Sequence, residues 1–228
     1  MALSPQRKHF PLRQLKKLIV DTYKETFETW NKVAKLYQDK FMDLDLYDDT
    51  YDTFCEEVNS ENATILEIGC GPGNITKYLL NKRPGFSIVG IDISPNMIEL
   101  AKTNNPTVGF KVMDCREIDQ LQGKFNGIIC GFCLPYLSAF DSSKLIKDCA
   151  RLLKDKGVLY ISFVEGDYLK SGFQIASTGD RTYFYFHKLS RLIKELKEAV
   201  FETVKIFHKS YKKSLATEEI HTVIIARK

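Results

Sequence analysis

The stretch Ala63-Thr-Ile-Leu-Glu-Ile-Gly-Cys-Gly-Pro-Gly-Asn-Ile-Thr-Lys-Tyr-Leu-Leu80 decides the fold of this 228-residue chain. An apolar run ends at Ile68, three glycines follow at alternate positions, and a segment of helical character begins at Ile75. This order predicts a strand, a tight loop and a helix. Glycines let the backbone turn sharply and let a ligand approach main-chain N–H groups at a helix N-terminus. We therefore expect a ligand at the start of this helix.

The spacing of the glycines distinguishes between two kinds of nucleotide site. The dinucleotide fingerprint has its third glycine three residues after the second. That position is Asn74 here, and the glycine comes one residue earlier, at Gly73. The motif is thus Glu-x-Gly-x-Gly-x-Gly, with Glu67 at the end of the strand. It resembles motif I of the class I S-adenosylmethionine-dependent methyltransferases.

Acidic residues also follow the next two predicted strands. The apolar run 86–93 ends around Asp92, which lies 19 residues after Gly73. An acid at this distance, at the end of the next strand, can accept hydrogen bonds from both ribose hydroxyls. The third predicted strand, 108–113, is followed by Asp114. The carboxyl ends of the first three strands therefore share an acidic edge.

The remaining pattern predicts the fold class. Strands at 125–130 and 158–163 flank a helix at 144–153 that is capped by residues 141–143, and this alternation indicates a parallel sheet. Two further strands, 201–211 and 219–227, follow a helix at 188–199 and are close enough to form a hairpin. One of them must then be antiparallel. We expect an α/β fold: a Rossmann-like, doubly wound, seven-stranded sheet with an antiparallel strand 7, helices on both faces and an N-terminal helical lid.

Length and pattern predict a single domain over residues 1–228. Its parts are an N-terminal helical extension or lid (1–58), a cofactor-binding core (59–163), a substrate-side insert (164–187), and a C-terminal helix with a β-hairpin (188–228). Apolar residues at helical spacing between 12 and 41 predict two helices with a break near Asp21.

Composition limits the partners. The net charge of +4 comes from 33 basic and 29 acidic residues, which is too balanced to favour nucleic acid. The basic cluster between Arg7 and Lys17 is expected to be the solvated face of a helix. We find no apolar run of about 18 residues, and hence expect no membrane span. Six cysteines without a secretion signal favour a reducing compartment, so we expect a cytoplasmic protein. The oligomeric state is left open.

The resemblance implies a cofactor, S-adenosyl-L-methionine, and a product, S-adenosyl-L-homocysteine. The implied cofactor-binding residues are Glu67, Gly69, Cys70, Gly71, Gly73, Asp92, Ile93, Met97, Asp114, Cys115 and Cys130. The glycines would pack against the methionine part of the cofactor, and the first acid would orient its amino group. The second acid would hold the ribose, and the two apolar side chains would enclose the adenine. The third acid and the next N–H would contact the adenine edge, and the Cys130 carbonyl would face the amino group or the transferable methyl.

Each role has a structural alternative that the sequence leaves open. Glu67 can be an exposed carboxylate at a strand end, and Asp92 can be a helix N-cap. Asp114 can be a turn residue, and Met97 can simply fill the core.

The segment Cys130-Gly-Phe-Cys-Leu-Pro-Tyr-Leu137 bears on the acceptor. Methyltransferases of nucleic acid or protein glutamine usually have Asn/Asp-Pro-Pro-Tyr/Phe here, and this chain does not. The resemblance therefore implies a small-molecule acceptor and no nucleic-acid partner. Related enzymes often have a histidine where this chain has Pro135, so no general base is identified. The candidate catalytic residues are Tyr37, Tyr136 and His187, the last of which can instead be a helix cap.

Cys130 and Cys133 have the spacing of a redox pair, but they follow a strand of a different βα pattern, and no second pair completes a zinc site. We expect no metal. Three functions are carried forward. The first is methyl transfer to a small molecule, which requires alignment and exclusion of water more than acid–base groups. The second is a nicotinamide-dependent oxidoreductase, which the glycine spacing and the absence of a Tyr-x-x-x-Lys pair disfavour. The third is a non-catalytic, methyltransferase-like binding module.

Overall fold

A computed structural model describes residues 22–176, 179–212 and 218–228. The basic cluster, the predicted helix before Asp21 and the break predicted there lie outside these residues. The helices are α1 (Thr22–Lys32), α2 (Ala34–Phe41), α3 (Asp48–Glu57), α4 (Asn74–Lys82), α5 (Pro95–Asn104), α6 (Ala139–Leu152) and α7 (Leu189–Glu198). The strands are β1 (Thr64–Ile68), β2 (Ser87–Asp92), β3 (Gly109–Val112), β4 (Phe125–Cys130), β5 (Leu153–Val164), β6 (Gly172–Ile175), β7 (Arg181–Phe184), β8 (Glu202–Lys212) and β9 (Glu218–Arg227).

The main sheet has seven strands in the order β3-β2-β1-β4-β5-β9-β8. Strands β1 to β5 pair in parallel, whereas β9 pairs antiparallel with both β5 and β8. The hairpin β8–β9 causes this reversal, because it brings the chain back between β5 and the sheet edge. The predicted seven-stranded sheet with one antiparallel strand near its edge is confirmed.

Two apolar clusters lie on opposite faces of the sheet. Leu66, Ile128 and Leu159 pack on one face with helices α6 and α7. Ile65 and Ile129 pack on the other face with α3 and α4. Successive side chains of a strand point to opposite faces, and both faces are covered, so the central strands are apolar throughout. The rigid layers fix where the strands end, and thereby the edge that carries the acids.

Two predicted boundaries near α6 are wrong. The helix begins at Ala139, not at 144, because Ser138 is the N-cap and its Oγ accepts a hydrogen bond from the Asp141 N–H at 3.1 Å. Strand β5 begins at Leu153, five residues before the predicted start. The chain kinks at Lys156, which has a φ of +62°. The predicted interruption there is therefore a kink within one strand.

The insert between β5 and α7 contains a small antiparallel sheet. Strands β6 and β7 form this hairpin, which the aromatic sequence did not reveal. The hairpin packs on α1, where the Tyr183 N–H donates to Thr26 Oγ1 at 2.9 Å. Thr29 Oγ1 donates to the Arg181 carbonyl at 2.9 Å as well. The N-terminal helices and the insert thus form one cover. In the described part of the chain, no helix is both long and apolar enough to cross a membrane.

Candidate functional site

A cavity of about 530 Å³ lies at the carboxyl ends of the parallel strands. Its floor comes from residues that end or follow these strands, including Gly69, Asp92, Asp114 and Gly131. Its roof comes from α1, α2 and the β6–β7 hairpin. Ligands of open α/β sheets bind in such a crevice, outside the carboxyl ends of the strands. The cavity is therefore where the sequence placed the ligand.

The glycine loop turns between β1 and α4 through left-handed backbone conformations. Gly71 has a φ of +52°, and a Cβ atom on it would meet only the Tyr37 ring, at 3.7 Å. Gly73 has a φ of +81°, and its Cβ atom would lie 2.4 Å from Asn105 Nδ2. Gly71 thus leaves main-chain atoms accessible from the cavity, whereas Gly73 permits close packing of the loop on α5.

Asp92 holds this loop from the neighbouring strand. Its Oδ2 accepts a hydrogen bond from the Gly71 N–H at 2.9 Å, and its Oδ1 accepts one from the Ser94 N–H at 2.8 Å. The N-cap of α5 is Ser94, so Asp92 does not have the alternative role of helix N-cap. Each carboxylate oxygen can accept a second hydrogen bond. Desolvation raises the pKa of Asp92, and a ligand hydroxyl would replace the missing solvent.

Glu67 lies at the end of β1 and is fully buried. The predicted alternative, an exposed carboxylate, is therefore wrong. Thr76 Oγ1 donates to Glu67 Oε2, and Oε1 has no hydrogen-bond partner. Burial raises the pKa of Glu67 to about 8. A buried acceptor without a partner is costly and indicates a missing donor, and the amino group of an amino acid is a donor of the right kind.

Of the residues expected to enclose the adenine, three line the cavity and one, Asp114, is already paired with an arginine. Ile93, Met97 and Cys115 line the cavity, as expected. Asp114 also lines it, but the Arg116 guanidinium donates to both of its carboxylate oxygens, with Nε at 2.9 Å from Oδ2. Asp114 is also the N-cap of a short 3-10 helix, where it accepts from the Arg116 N–H. It is thus both a turn residue and a cavity residue.

Arg116 was missed by sequence reasoning. Its guanidinium lies 4.1 Å from the centre of the Tyr23 ring and 5.5 Å from that of Phe27, so a cation–π contact connects the Asp114 side of the cavity to α1. A cation two residues after a strand-end acid was the available signal.

Four of the proposed cofactor-binding residues lie outside the cavity lining. The Cys70 side chain packs against Ile98 and Ala101, and the Cys130 side chain belongs to the main core. Gly73 packs against Ala101 and Asn105, and Glu67 is buried near the end of β1. These four residues therefore do not form part of the cavity surface.

His187 is not in the cavity lining, and it is fully buried. Its Nε2 lies 2.9 Å from the Leu134 carbonyl, and its Nδ1 lies 2.7 Å from the Arg191 guanidinium. A carbonyl only accepts and a guanidinium only donates, so the ring is neutral with its proton on Nε2. Burial lowers the pKa of His187 to about 4. The structure therefore gives it a packing role, and the N-cap of α7 is Lys188.

Tyr37 and Tyr136 do line the cavity, and Trp30 lies between them. The Trp30 ring makes edge contacts with both, at centroid distances of 5.6 and 5.2 Å. Burial raises the pKa of Tyr37 to about 12, so its hydroxyl stays protonated at neutral pH. The buried Trp30 Nε1 has no hydrogen-bond partner in the structure, so it is a second unpartnered polar atom, and this one is a donor that an acceptor on a ligand could satisfy.

A group on the far side of the cavity was also missed. Tyr47, Glu219 and His221 line it together, although Tyr47 and His221 are 174 positions apart. Glu219 and His221 alternate along β9 and thus share a face, but sequence offered no sign that this face meets Tyr47. Within the described residues, no cluster of metal-ligating side chains occurs.

Comparison with known proteins agrees with this geometry. Residues 65–157 match the family model described as a methyltransferase domain. A methyltransferase from Methanosarcina mazei, described as S-adenosylmethionine-dependent, is 25% identical with a TM-score of 0.63, covering 76% of this chain and 95% of that one. Magnesium protoporphyrin IX methyltransferase from Synechocystis PCC 6803, solved with S-adenosylhomocysteine, has a TM-score of 0.69 at 18% identity, covering 91% and 100%. The latter likeness concerns the fold alone.

Among curated proteins, malonyl-[acyl-carrier protein] O-methyltransferase from Acetivibrio thermocellus is 35% identical over 100 residues, covering 43% of this chain and 34% of the relative. The chain spans less than half the length of the first curated relatives that it matches. The match of residues 65–157 to the methyltransferase domain model agrees with the sheet order, which is that of the class I methyltransferase fold. The predicted resemblance to the class I S-adenosylmethionine-dependent methyltransferases is confirmed.

Proposed function

We propose that this protein is an S-adenosylmethionine-dependent methyltransferase that acts on a small molecule. The observation that carries the proposal is the link between Asp92 and Gly71, which joins an acidic strand end to an exposed glycine loop at the cavity. The match of residues 65–157 to the methyltransferase domain supports the same activity.

The residues present fit the cofactor. Asp92 retains acceptor capacity for two ribose hydroxyls, and the unpaired Glu67 Oε1 suits the amino group of the methionine part. Ile93 and Met97 offer apolar surface for the adenine. When bound, the cofactor supplies a methyl group on a positively charged sulfur that leaves as a neutral thioether. The protein then has to align the acceptor and exclude water.

The size and closure of the cavity support a small acceptor. About 530 Å³ must hold both cofactor and acceptor, beneath a roof of α1, α2 and the β6–β7 hairpin. The aromatic rings of Trp30 and Tyr37 make this roof apolar, and Tyr136, which follows β4, packs against Trp30, so the acceptor would be shielded from water. The six thiols, free in the structure, favour a reducing compartment such as the cytoplasm.

A thermal-shift titration tests the proposal. S-adenosylhomocysteine that binds only the native state should stabilise it by about 2.7 kcal/mol at a hundredfold excess over Kd. NADH should give no shift. A response to NADH alone would favour an oxidoreductase. Binding without transfer of label from S-adenosylmethionine to any component of a metabolite extract would favour a non-catalytic module.

A further inference from the structure

Tyr47, His221 and Glu219 form a chain of polar groups on one wall of the cavity. The Tyr47 hydroxyl lies 2.6 Å from His221 Nδ1, and the two rings are stacked with an interplanar angle of 12°. His221 Nε2 lies 3.8 Å from Glu219 Oε2. Tyr47 and His221 are only 6% and 7% exposed, so their polar atoms are shielded from solvent although both line the cavity.

We propose that Tyr47 is the group that takes the proton from the methyl acceptor, that His221 and Glu219 position and receive it, and that the acceptor is an aromatic hydroxyl compound. The inference rests on the methyltransferase function proposed above and narrows its substrate class. It gives this chain the general base that the Leu134-Pro135-Tyr136 segment does not supply.

The order of the three groups sets the direction of the proton. Glu219 faces Nε2, so its negative charge favours the tautomer with the proton on that nitrogen. In this tautomer Nδ1 is an acceptor, and the Tyr47 hydroxyl donates to it. In enzymes that activate a hydroxyl group, a base accepts the hydroxyl proton and a carboxylate orients that base. In this arrangement His221 is the base for the Tyr47 hydroxyl, and Glu219 orients His221. Here the acceptor hydroxyl would hydrogen-bond to Tyr47 and lose its proton to that oxygen.

Aromatic walls around the relay determine the acceptor class. The Phe132 ring lies 5.0 Å from the Tyr47 ring and 4.7 Å from the His221 ring, and Tyr211 stacks on His221 at 4.8 Å. Phe132 immediately follows β4 and Gly131, at the edge that carries the cofactor loop. Its φ of +53° is unusual for a residue with a side chain, and its N–H donates to Ser162 Oγ at 2.7 Å. Flat rings prefer such edge and offset partners.

The step balances in atoms and charge. The acceptor oxygen forms a bond to the methyl carbon, while the carbon–sulfur bond breaks and its electron pair stays on sulfur. The acceptor proton passes to Tyr47, whose own proton passes to His221 Nδ1. The resulting imidazolium faces Glu219 and later loses its proton to solvent. The products are a methyl ether and S-adenosylhomocysteine, without any redox change.

Other charged groups near His221 do not oppose this role. Lys209 on β8 is opposite His221 in the strand register, and its ammonium is paired with Asp49 on α3 at 2.6 Å. On β5, the residue opposite His221 is the apolar Val164. Tyr47, Tyr211 and Glu219 are among the titratable groups that contact the ring in the described part of the chain.

Chromogenic phenols test the proposal without any methyl transfer. Para-nitrophenol, nitrocatechol and nitronaphthol change absorbance when they ionise, so each can be titrated with pH while bound to the protein saturated with S-adenosylhomocysteine. At least one should bind, with its ionisation midpoint lowered by about one pH unit, a tenfold change in equilibrium. Para-nitroanisole, which has no acidic proton, should bind without any such change.

Three variants isolate the relay. Tyr47→Phe keeps the ring and removes the hydroxyl, so the lowered midpoint should return to that of the free phenol. Glu219→Gln should reduce the shift. His208→Asn lies on the same hairpin and is exposed, with its Nδ1 beside Thr222, and it should match the wild type. With S-adenosylmethionine, Tyr47→Phe should lower the methylation rate roughly a hundredfold to ten-thousandfold and remove the acid limb of the pH profile.

Each outcome is decisive. Calorimetry with S-adenosylhomocysteine reports on the proposed function itself, and the relay variants should all bind it as the wild type does. Failure of the wild type to bind it would overturn the methyltransferase proposal. Normal binding together with no phenol bound, with an unshifted midpoint, or with a wild-type rate and pH profile in Tyr47→Phe would overturn the relay while leaving that function in place.

Discussion

Asn31 on the lid helix α1 is hydrogen-bonded to Ser94, the residue that caps α5 two positions after Asp92. Ser94 Oγ donates to Asn31 Oδ1 at 2.9 Å, and the Asn96 N–H donates to the same oxygen at 2.9 Å. The lid is thus attached to the strand end proposed to hold the ribose. Because α1 is also hydrogen-bonded to the β6–β7 hairpin, the same helix contacts both this strand end and the hairpin above the cavity.

This attachment predicts coupled protection of the lid. The lid lies outside the core βα pattern, and lids come from the less stable parts of a structure. Binding of S-adenosylhomocysteine should slow amide hydrogen exchange in α1, α2 and the 164–187 insert. Asn31→Ala should weaken that slowing in the lid and leave the exchange of β4 unchanged. Slowing confined to residues 67–115 would instead identify these segments as fixed scaffold.

The Asp92 carboxylate should dominate cofactor affinity. Asp92→Ala removes the acceptor of two backbone N–H groups and of the proposed ribose hydroxyls. Hydrogen bonds to charged groups contribute about 1.5–3 kcal/mol each, so Kd for S-adenosylhomocysteine should rise at least tenfold by calorimetry. Asp167→Ala removes a carboxylate that caps a short 3-10 helix in the insert, and it serves as the matched control. Wild-type affinity in Asp92→Ala would contradict the assignment of this strand end.

The two glycines should fail in different ways. Gly71→Val places its side chain toward the cavity, beside the Tyr37 ring, so it should abolish ligand binding in addition to straining the backbone at its positive φ. Gly73→Ala places a Cβ atom 2.4 Å from Asn105 Nδ2 at a positive φ, so it should cost about 1–3 kcal/mol of folding free energy. Gly109→Ala meets nothing within 4 Å and controls for the substitution itself. Thermal unfolding with and without S-adenosylhomocysteine separates the two effects, because the ligand should still raise the Tm of Gly73→Ala and should not raise that of Gly71→Val. A ligand-induced rise in the Tm of Gly71→Val would contradict the distinction.

Sequence reasoning succeeded where function depends on neighbours along the chain. The loop from Glu67 to Gly73 and its acid at Asp92 follow from strand ends and glycine spacing. The parallel sheet with one antiparallel strand follows from the alternation of strands and helices plus a terminal hairpin. It failed at the start of β5, because the exposed, charged residues 154–156 have no strand pattern. It also missed the Tyr47–His221 pair, since only the packing of α3 against the hairpin brings the two together. Asp114 illustrates a third cause. Its partner Arg116 is only two residues away, but the same short sequence is compatible with a turn residue and with a cavity residue, so it could not distinguish the two roles.

Glu67 should make stability and binding depend on pH. Burial raises its pKa in the folded protein to about 8, above the ordinary value of 4.5, so between these pH values the native state holds a proton that the unfolded chain has lost. The stability contributed by the neutral form is therefore complete below pH 4.5 and is lost as the pH rises through about 8. Glu67→Gln mimics the neutral carboxyl, and its free energy of unfolding from urea titrations should lack this decline.

Ligand binding should then release the proton held by Glu67. An ammonium group placed beside the unpaired Oε1 would stabilise the carboxylate and lower its pKa. Near neutral pH, S-adenosylhomocysteine should displace up to one proton, so the calorimetric enthalpy should vary with the ionisation enthalpy of the buffer. Glu67→Gln has no proton to release and should show no such dependence. A wild-type enthalpy that is the same in phosphate and Tris buffers would mean that the amino group does not reach Glu67, and the methionine end of the cofactor would have to lie elsewhere.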